Sequence, residues 1–307
     1  MIEAISQTLP LILVFFAAFA LKKVKFLSSN DGSTLLKVVF YLGAPALIFQ
    51  SISHVELDSN TALLGILPAV VIVAGLLATM LVRKTALTSL STKTFGALLL
   101  GAVIMNTGFL IPFVENLYGA EGVARLSIID AFNGVVVFTL VYAIAVRMGN
   151  DKPDGKFIAK KLLLTPPIWA LILALVVKLL DLAPPVAITD SLSLVARMVS
   201  PLVLIAVGLK FTPKIKKPAL LAVPIILRMG LGFLVGFLFV KLFGIQGISA
   251  EIAILAAMAP IGFNSVTFSE MENLDEEFAA SQLSISILLA ILLMPVAFHF
   301  IPRLIAG

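Results

Sequence analysis

Apolar residues in this chain come in long runs separated by short polar clusters. Crossing roughly 30 Å of hydrocarbon takes about 20 residues at 1.5 Å each. Runs of that order fall near 5–21, 34–52, 61–82, 95–117 and 123–147, and again near 162–181, 187–209, 219–242, 248–271 and 278–301. The pattern predicts an all-α integral membrane protein of ten transmembrane helices. Connections are short and polar, which leaves no room for a soluble domain. The longest of them, 148–161 (MGNDKPDGKFIAKK), divides the chain into a first five-helix unit, 1–147, and a second, 162–307. The first run ends in Ala18-Phe19-Ala20, which looks like a signal-peptidase site. Glu3 precedes it and Lys22, Lys23 and Lys25 follow it, the reverse of a secretory signal, so this helix is expected to be retained.

Basic residues set the expected orientation. Lys22, Lys23 and Lys25, then Arg83, Lys84 and Lys93, then Arg147, Lys152, Lys156, Lys160 and Lys161, then Lys210, Lys214, Lys216 and Lys217 all fall in odd-numbered connections. Only Arg125, Lys178, Lys241 and Arg303 fall on the other side. Both termini are therefore expected outside the cytoplasm, with the linker 148–161 inside. Five helices per half also means that the second half enters the membrane from the side opposite to the first, an inverted repeat. Weak internal similarity agrees: VVFYLGAPALIFQSIS at 38–53 aligns with LVARMVSPLVLIAVGL at 194–209, setting Pro45 against Pro201, and Gly108-Phe109 echoes Gly262-Phe263.

Composition narrows the functional classes. The chain is 60% hydrophobic and 13% charged with a mean hydropathy of +1.13, against about a quarter charged in soluble domains. Its net charge of +5 resides in clusters flanking apolar runs, as expected at an anionic leaflet, and nucleic acid is not an expected partner. Cys is absent, which removes disulfides and thiolate metal sites, and His54 and His299 stand far apart. An intramembrane enzyme would need paired Asp, Ser with His, or clustered metal ligands at depth. The sequence offers none of these, and no cofactor is expected.

Two segments carry the candidate chemistry. The fourth centres on Asn106-Thr107-Gly108 with Pro112 beyond, and the ninth on Ala259-Pro260-Ile261-Gly262-Phe263-Asn264-Ser265. Pro removes a backbone donor and Gly is conformationally permissive, so both helices are expected to be interrupted at mid-depth. Exposed backbone is tolerated there only when buried in protein or lining a wet cavity. Interrupted segments at corresponding places in inverted halves point to a transporter's binding site. Positive half-helix N-termini at such a site favour an anion. Small residues and prolines in membrane helices also serve plain kinks and close packing.

Charges at depth add a second signal, because they are costly there. Asp130 lies about 10 Å into the fifth helix, with Arg197 and Arg228 near mid-depth of the seventh and eighth. They form either an anion-attracting set or an ion pair between helices. Asn133 follows Asp130 by one turn on the same face. Ser281, Gln282, Ser284 and Ser286 open the tenth helix, as Na+ ligands or interhelical glue, and the run EMENLDEE at 270–277 reads as a solvated loop or a cation site.

The string Met105-Asn106-Thr107-Gly108-Phe109-Leu110-Ile111-Pro112 with Tyr118-Gly119 resembles the fourth helix of the auxin efflux carrier family. The likeness runs the whole chain, through Gly43-Ala44-Pro45-Ala46-Leu47-Ile48-Phe49, Pro201 with Val207-Gly208, and the Pro260 region. The resemblance implies two inverted five-helix repeats with crossing fourth and ninth helices, elevator-like movement, and an organic anion as cargo, either a malate- or malonate-type carboxylate or one like indole-3-acetate. It places Asn106 at the substrate, Pro112 and Pro260 in the crossover segments, and Asn133 where the family has Gln. Substrate contacts are thus expected from Asn106, Thr107, Gly108, Asn133, Pro260, Gly262, Asn264 and Ser265. Asp130, Arg197 and Arg228 are the coupling or electrostatic candidates, with Na+ or H+ as the coupling ion. The absent long cytoplasmic loop suggests a compact prokaryotic member in the inner membrane, with lipid, a small organic anion and optionally a second copy in a homodimer as partners. A sodium-coupled bile acid symporter is the runner-up. A sodium/proton antiporter fits less well, because Asp130 is followed by Ala131 and not by a second Asp.

Overall fold

The computed structural model describes residues 2–53, 59–149, 166–211 and 218–306, with isolated positions 156, 160, 163 and 164. His54 and most of the central linker lie outside the described residues. Among the described residues every regular element is a helix. Five helices are long and apolar enough to cross a membrane: Ser29–Gln50, Leu63–Thr85, Glu121–Gly149, Val186–Lys210 and Ala219–Phe243. Shorter apolar helices include Thr92–Val103, Pro166–Leu179, Gly247–Ala257 and Val296–Ile305.

In chain order, α1 is Ile2–Lys23. Helix α2 begins at Ser29–Val38, widens through a π-helical turn at Val39–Gly43 and continues as Ala44–Ser53. A widened turn just before Pro45 accommodates a residue that cannot donate its backbone N–H. Helix α3 is Ser59–Thr85, and α4 is Thr92–Val103. Helix α5, Thr107–Val136, folds over sharply at Gly119 and continues through Val137–Val141 into Tyr142–Gly149. Gly119 has φ 60° and ψ −155°, a backbone conformation essentially reserved for glycine. The Tyr118-Gly119 pair therefore marks the bend joining the fourth and fifth segments. Helix α6 is Pro166–Leu179, and α7 (Val186–Arg197) and α8 (Val199–Lys210) meet at Met198. Helix α9 comprises Pro218–Ile225, a π-helical turn Ile226–Leu231, and Gly232–Phe243. Helices α10 (Gly247–Ala257), α11 (Asn264–Met271) and α12 (Glu276–Ala306) complete the chain.

Packing divides these helices into two bundles. Helices α1, α2, α6, α7 and α8 lie mainly against one another, and α3, α4, α5 and α9 to α12 form the second group. The contact between bundles is thinner. It runs chiefly through α2 on α5 and α11, α1 on α5 and α12, and α8 on α12. Helices α4 and α10 are the centre of the larger bundle: Phe95 to Val103 and Ile252 to Ala257 are all buried. A helix buried on every side is apolar on every side, which is why these two short segments read as strongly in sequence as the lipid-facing ones.

Candidate crossover site

Both expected interruptions are present, and they touch. The fourth segment is non-helical from Ile104 to Asn106, between α4 and α5, and the ninth from Met258 to Phe263, between α10 and α11. Met105 and Ile261 pair as an antiparallel β-bridge. The Asn106 N–H donates to Pro260 O at 2.9 Å, and the Gly262 N–H to Ile104 O at 2.8 Å. A Cβ at position 262 would sit 2.6 Å from Ile104 Cγ2 and 2.8 Å from Met105 O, so only glycine permits this approach.

Buried backbone groups need partners, and several in the breaks have them. The Ile261 N–H donates to Ser286 Oγ at 3.2 Å. Gly262 O accepts from the Ser265 N–H at 3.0 Å and from Ser265 Oγ at 2.8 Å. Arg228, 1% exposed, reaches across from the π-helical turn of α9. It donates from Nη1 to Val103 O at 3.2 Å, from Nε to Ala259 O at 3.3 Å, and from Nη2 to Ala257 O.

On the opposite side of the crossing lie the first residues of α5. Asn106 is its N-cap, accepting from the Phe109 N–H at 3.2 Å through Oδ1, the usual role of Asn at a helix start. Its Nδ2 is buried with no partner. Thr107 Oγ1 donates to Asp130 Oδ1, and Asp130 is half-buried. Asn133, one turn along from Asp130, is 5% exposed and leaves Oδ1 without a partner. Next to these, Gly108 has open space: a Cβ there would meet only Asn106 Oδ1, at 3.8 Å. The following residue of the fifth segment, Gly134, looks toward Ile48 of α2, 4.0 Å from a Cβ placed at 134. This polar group thus lies where the two bundles face each other.

The expected residues do not all converge. Asn106, Thr107, Gly108, Asp130 and Asn133 gather at the start of α5. Pro260 and Gly262 contribute backbone atoms to the crossing itself. Asn264 opens α11 and is half-buried, whereas the Ser265 hydroxyl is committed to Gly262 O. Pro112 lies inside α5, six residues past the break, so it is not where the helix is interrupted. The three deep charges are not joined: Asp130 pairs with Thr107 and Arg228 with carbonyls, while Arg197 ends α7 with an exposed side chain. Ser281 and Ser284 bond carbonyls of their own helix, at Glu277 and Ala280.

Sequence reasoning passed over one polar cluster. Lys210, at the end of α8, is buried and contacts Glu270 Oε2 at 2.5 Å and Glu276 Oε2 at 2.8 Å. The acidic run thereby ties the larger bundle to the smaller one. Glu272, 1% exposed, accepts from Tyr142 Oη at 2.8 Å. At the opposite end of the larger bundle Tyr118 Oη donates to Glu251 Oε2 at 2.5 Å, and Arg125 Nε to Ser249 Oγ at 2.7 Å.

Residues 3–298 match the model of the family described as membrane transport protein. An uncharacterized transporter of Methanothermobacter thermautotrophicus is 25% identical over 300 residues, covering 95% of this chain and 96% of that protein. An uncharacterized transporter of Methanocaldococcus jannaschii is likewise 25% identical, over 92% of this chain and 94% of its own. With nearly its whole length matched by the family model, the chain belongs to the membrane transport protein family, that of the auxin efflux carriers, and is a membrane transporter.

Proposed function

We propose that this transporter is a secondary carrier for a small organic anion of the carboxylate class, working by alternating access. In this reading ten helices form two inverted five-helix repeats, with both termini outside the cytoplasm of an inner membrane. Pro45 and Pro201, aligned by internal similarity, are separated by the same interval as the bridged Met105 and Ile261, which supports a common offset between halves. The smaller bundle acts as a scaffold and the larger one, which carries the crossing, moves past it as an elevator.

The observation that carries the anion reading is the buried, unpartnered Asn106 Nδ2 at the N-terminus of α5, on the side facing the other bundle. A stranded buried donor costs about 1–3 kcal/mol, and a ligand acceptor would recover it. The N-terminal ends of α5 and α11 each carry roughly half a positive charge, together about enough for one carboxylate. Asn106, Thr107, Asn264 and Ser265 line the two helix starts, with Asn133 and the space beside Gly108 adjoining. Asp130 holds the same positive end through Thr107 and so competes with an incoming anion. A proton on Asp130 removes that competition, which makes it the coupling group. A thermal-shift panel of mono- and dicarboxylates, followed by uptake into proteoliposomes, tests the reading. Asn106→Ala should insert normally and lose binding, and full uptake by this variant would refute the site. Asp130→Asn should transport without pH dependence.

One observation favours a sodium-coupled, bile acid symporter-like carrier as a second reading. Thr267 Oγ1 and Gln282 Oε1 are buried oxygens without partners, a type that Na+ could engage. Uptake that requires Na+ would select it.

A further inference from the structure

Two helix C-termini meet inside the larger bundle with a single side chain between them. Helix α4 ends at Val103 and α10 at Ala257, and each C-terminal end carries roughly half a negative charge. Together they present about one negative charge, in surroundings where Leu98 to Val103 and Ile252 to Ala257 are all fully buried. Arg228 brings one positive charge to that point, and its fork reaches a carbonyl of each helix end, Val103 O and Ala257 O, and Ala259 O in the break. No carboxylate pairs with it among the described residues. Neighbouring backbone is shaped for the contact. A Cβ at Gly232 would strike Ala257 O and lie 2.6 Å from Arg228 Nη2.

We infer that Arg228 is a built-in monovalent cation that neutralises the converging C-termini, filling the place a dissociable coupling cation would otherwise take. The crossing is then held by a covalently tethered charge through every stage of the cycle. The opposite, N-terminal side stays positive and free to receive an anion. On the carrier reading, this makes the cycle independent of bound Na+ at the crossing. The neutralisation itself does not depend on what the cargo is.

The test therefore needs no cargo. Purified Arg228→Ala is followed by circular dichroism during heating, with and without tens of millimolar guanidinium chloride, and with NaCl, KCl or choline chloride as the remaining salt. Loss of the fork leaves three buried carbonyls without their donor, and the unfolding midpoint should fall by roughly 10 °C. Guanidinium should restore at least half of that fall in the variant and nothing in the wild type. An unshifted midpoint in Arg228→Ala, or no recovery with guanidinium, would overturn the inference. If that variant does not survive purification, Arg228→Lys and the wild type decide. The Lys variant, which keeps the charge without the fork, should unfold between the wild type and complete loss of fold. The wild-type midpoint should be the same in NaCl and choline chloride. An Arg228→Lys variant that also fails to fold, or stabilisation of the wild type by Na+ over choline, would count against a resident charge. Failure of the carrier reading looks different: no uptake of any anion, while the fall in Arg228→Ala and its recovery by guanidinium occur as expected.

Discussion

Replacing Gly262 by Ala adds one methyl group at the tightest point of the crossing. The new carbon would stand 2.6 Å from Ile104 Cγ2 and 2.8 Å from Met105 O. Ordinary contacts of these kinds are about 3.5–4.0 Å, so the two breaks must separate by nearly an ångström. That movement carries the Gly262 N–H out of reach of Ile104 O, now 2.8 Å away. Overpacking costs about 1–3 kcal/mol, and a stranded buried hydrogen-bonding group costs about another 1–3 kcal/mol. The expected loss is about 2–6 kcal/mol, read as a drop of roughly 5–10 °C in the unfolding midpoint by circular dichroism in detergent. Gly134→Ala is the matched control, because its Cβ would lie 4.0 Å from Ile48 Cγ1 in open helix. It should be neutral, or stabilising by up to about 1 kcal/mol through helix propensity. Equal midpoints for the two variants would refute the contact between the breaks.

Other perturbations follow from the same geometry. Gly108→Ala finds room beside Asn106, so it should fold normally and weaken anion binding by occupying that space; a change in stability larger than about 1 kcal/mol would contradict the open space. Lys210→Met leaves Glu270 and Glu276 facing each other without a cation and should destabilise the protein by about 3 kcal/mol, toward the low end for buried pairs because Glu276 is 39% exposed; chemical denaturation checks it. Burial, and then hydrogen bonding with Glu270, raises the carboxyl pKa of Glu276, the first residue of α12, which belongs to the polar run 270–277 ahead of the apolar stretch. The folded state therefore holds this proton more tightly than the unfolded chain. Its contribution is fully present below the unfolded pKa and is lost as pH rises through the folded one. Glu276→Gln, which cannot ionise, should gain in midpoint relative to the wild type as pH rises above the ordinary carboxylate range; a constant difference would contradict the shift.

Much of this was legible in the sequence because the bilayer permits few solutions. Long apolar runs became helix, and the Pro, Gly and Asn centres of the fourth and ninth segments became breaks. The position of the first break was legible too, through a capping rule: Asn106 before Thr107 is a helix start. Weight placed on Pro112 obscured it. A proline a few residues into a helix removes one hydrogen bond and leaves the backbone helical, whereas a break needs partners for every freed group. Those partners, Pro260 O, Gly262 N, Ser286 and Arg228, lie far away in sequence, and nothing local identifies them. Arg228 stood out as a deep charge, but its commitment to carbonyls depends on where α4 and α10 end. Lys210 looked like one more loop base because its burial arises only when α8 meets α11 and α12. The short α4 and α10 read as spans because apolar sequence does not distinguish burial in lipid from burial in protein.

The absence of Cys from this chain makes one measurement direct. Gly108→Cys places a lone thiol in the space beside Asn106, within a segment of the chain that is otherwise buried. In sealed proteoliposomes a membrane-impermeant, thiol-specific reagent should label it from the aqueous phase, and carboxylate cargo, raised in concentration to offset the weaker binding that a side chain at 108 causes, should slow the labelling at least tenfold. A thiol that never reacts in the folded protein, or reacts at the same rate whatever anion is present, would contradict a water-reachable anion site at the crossing.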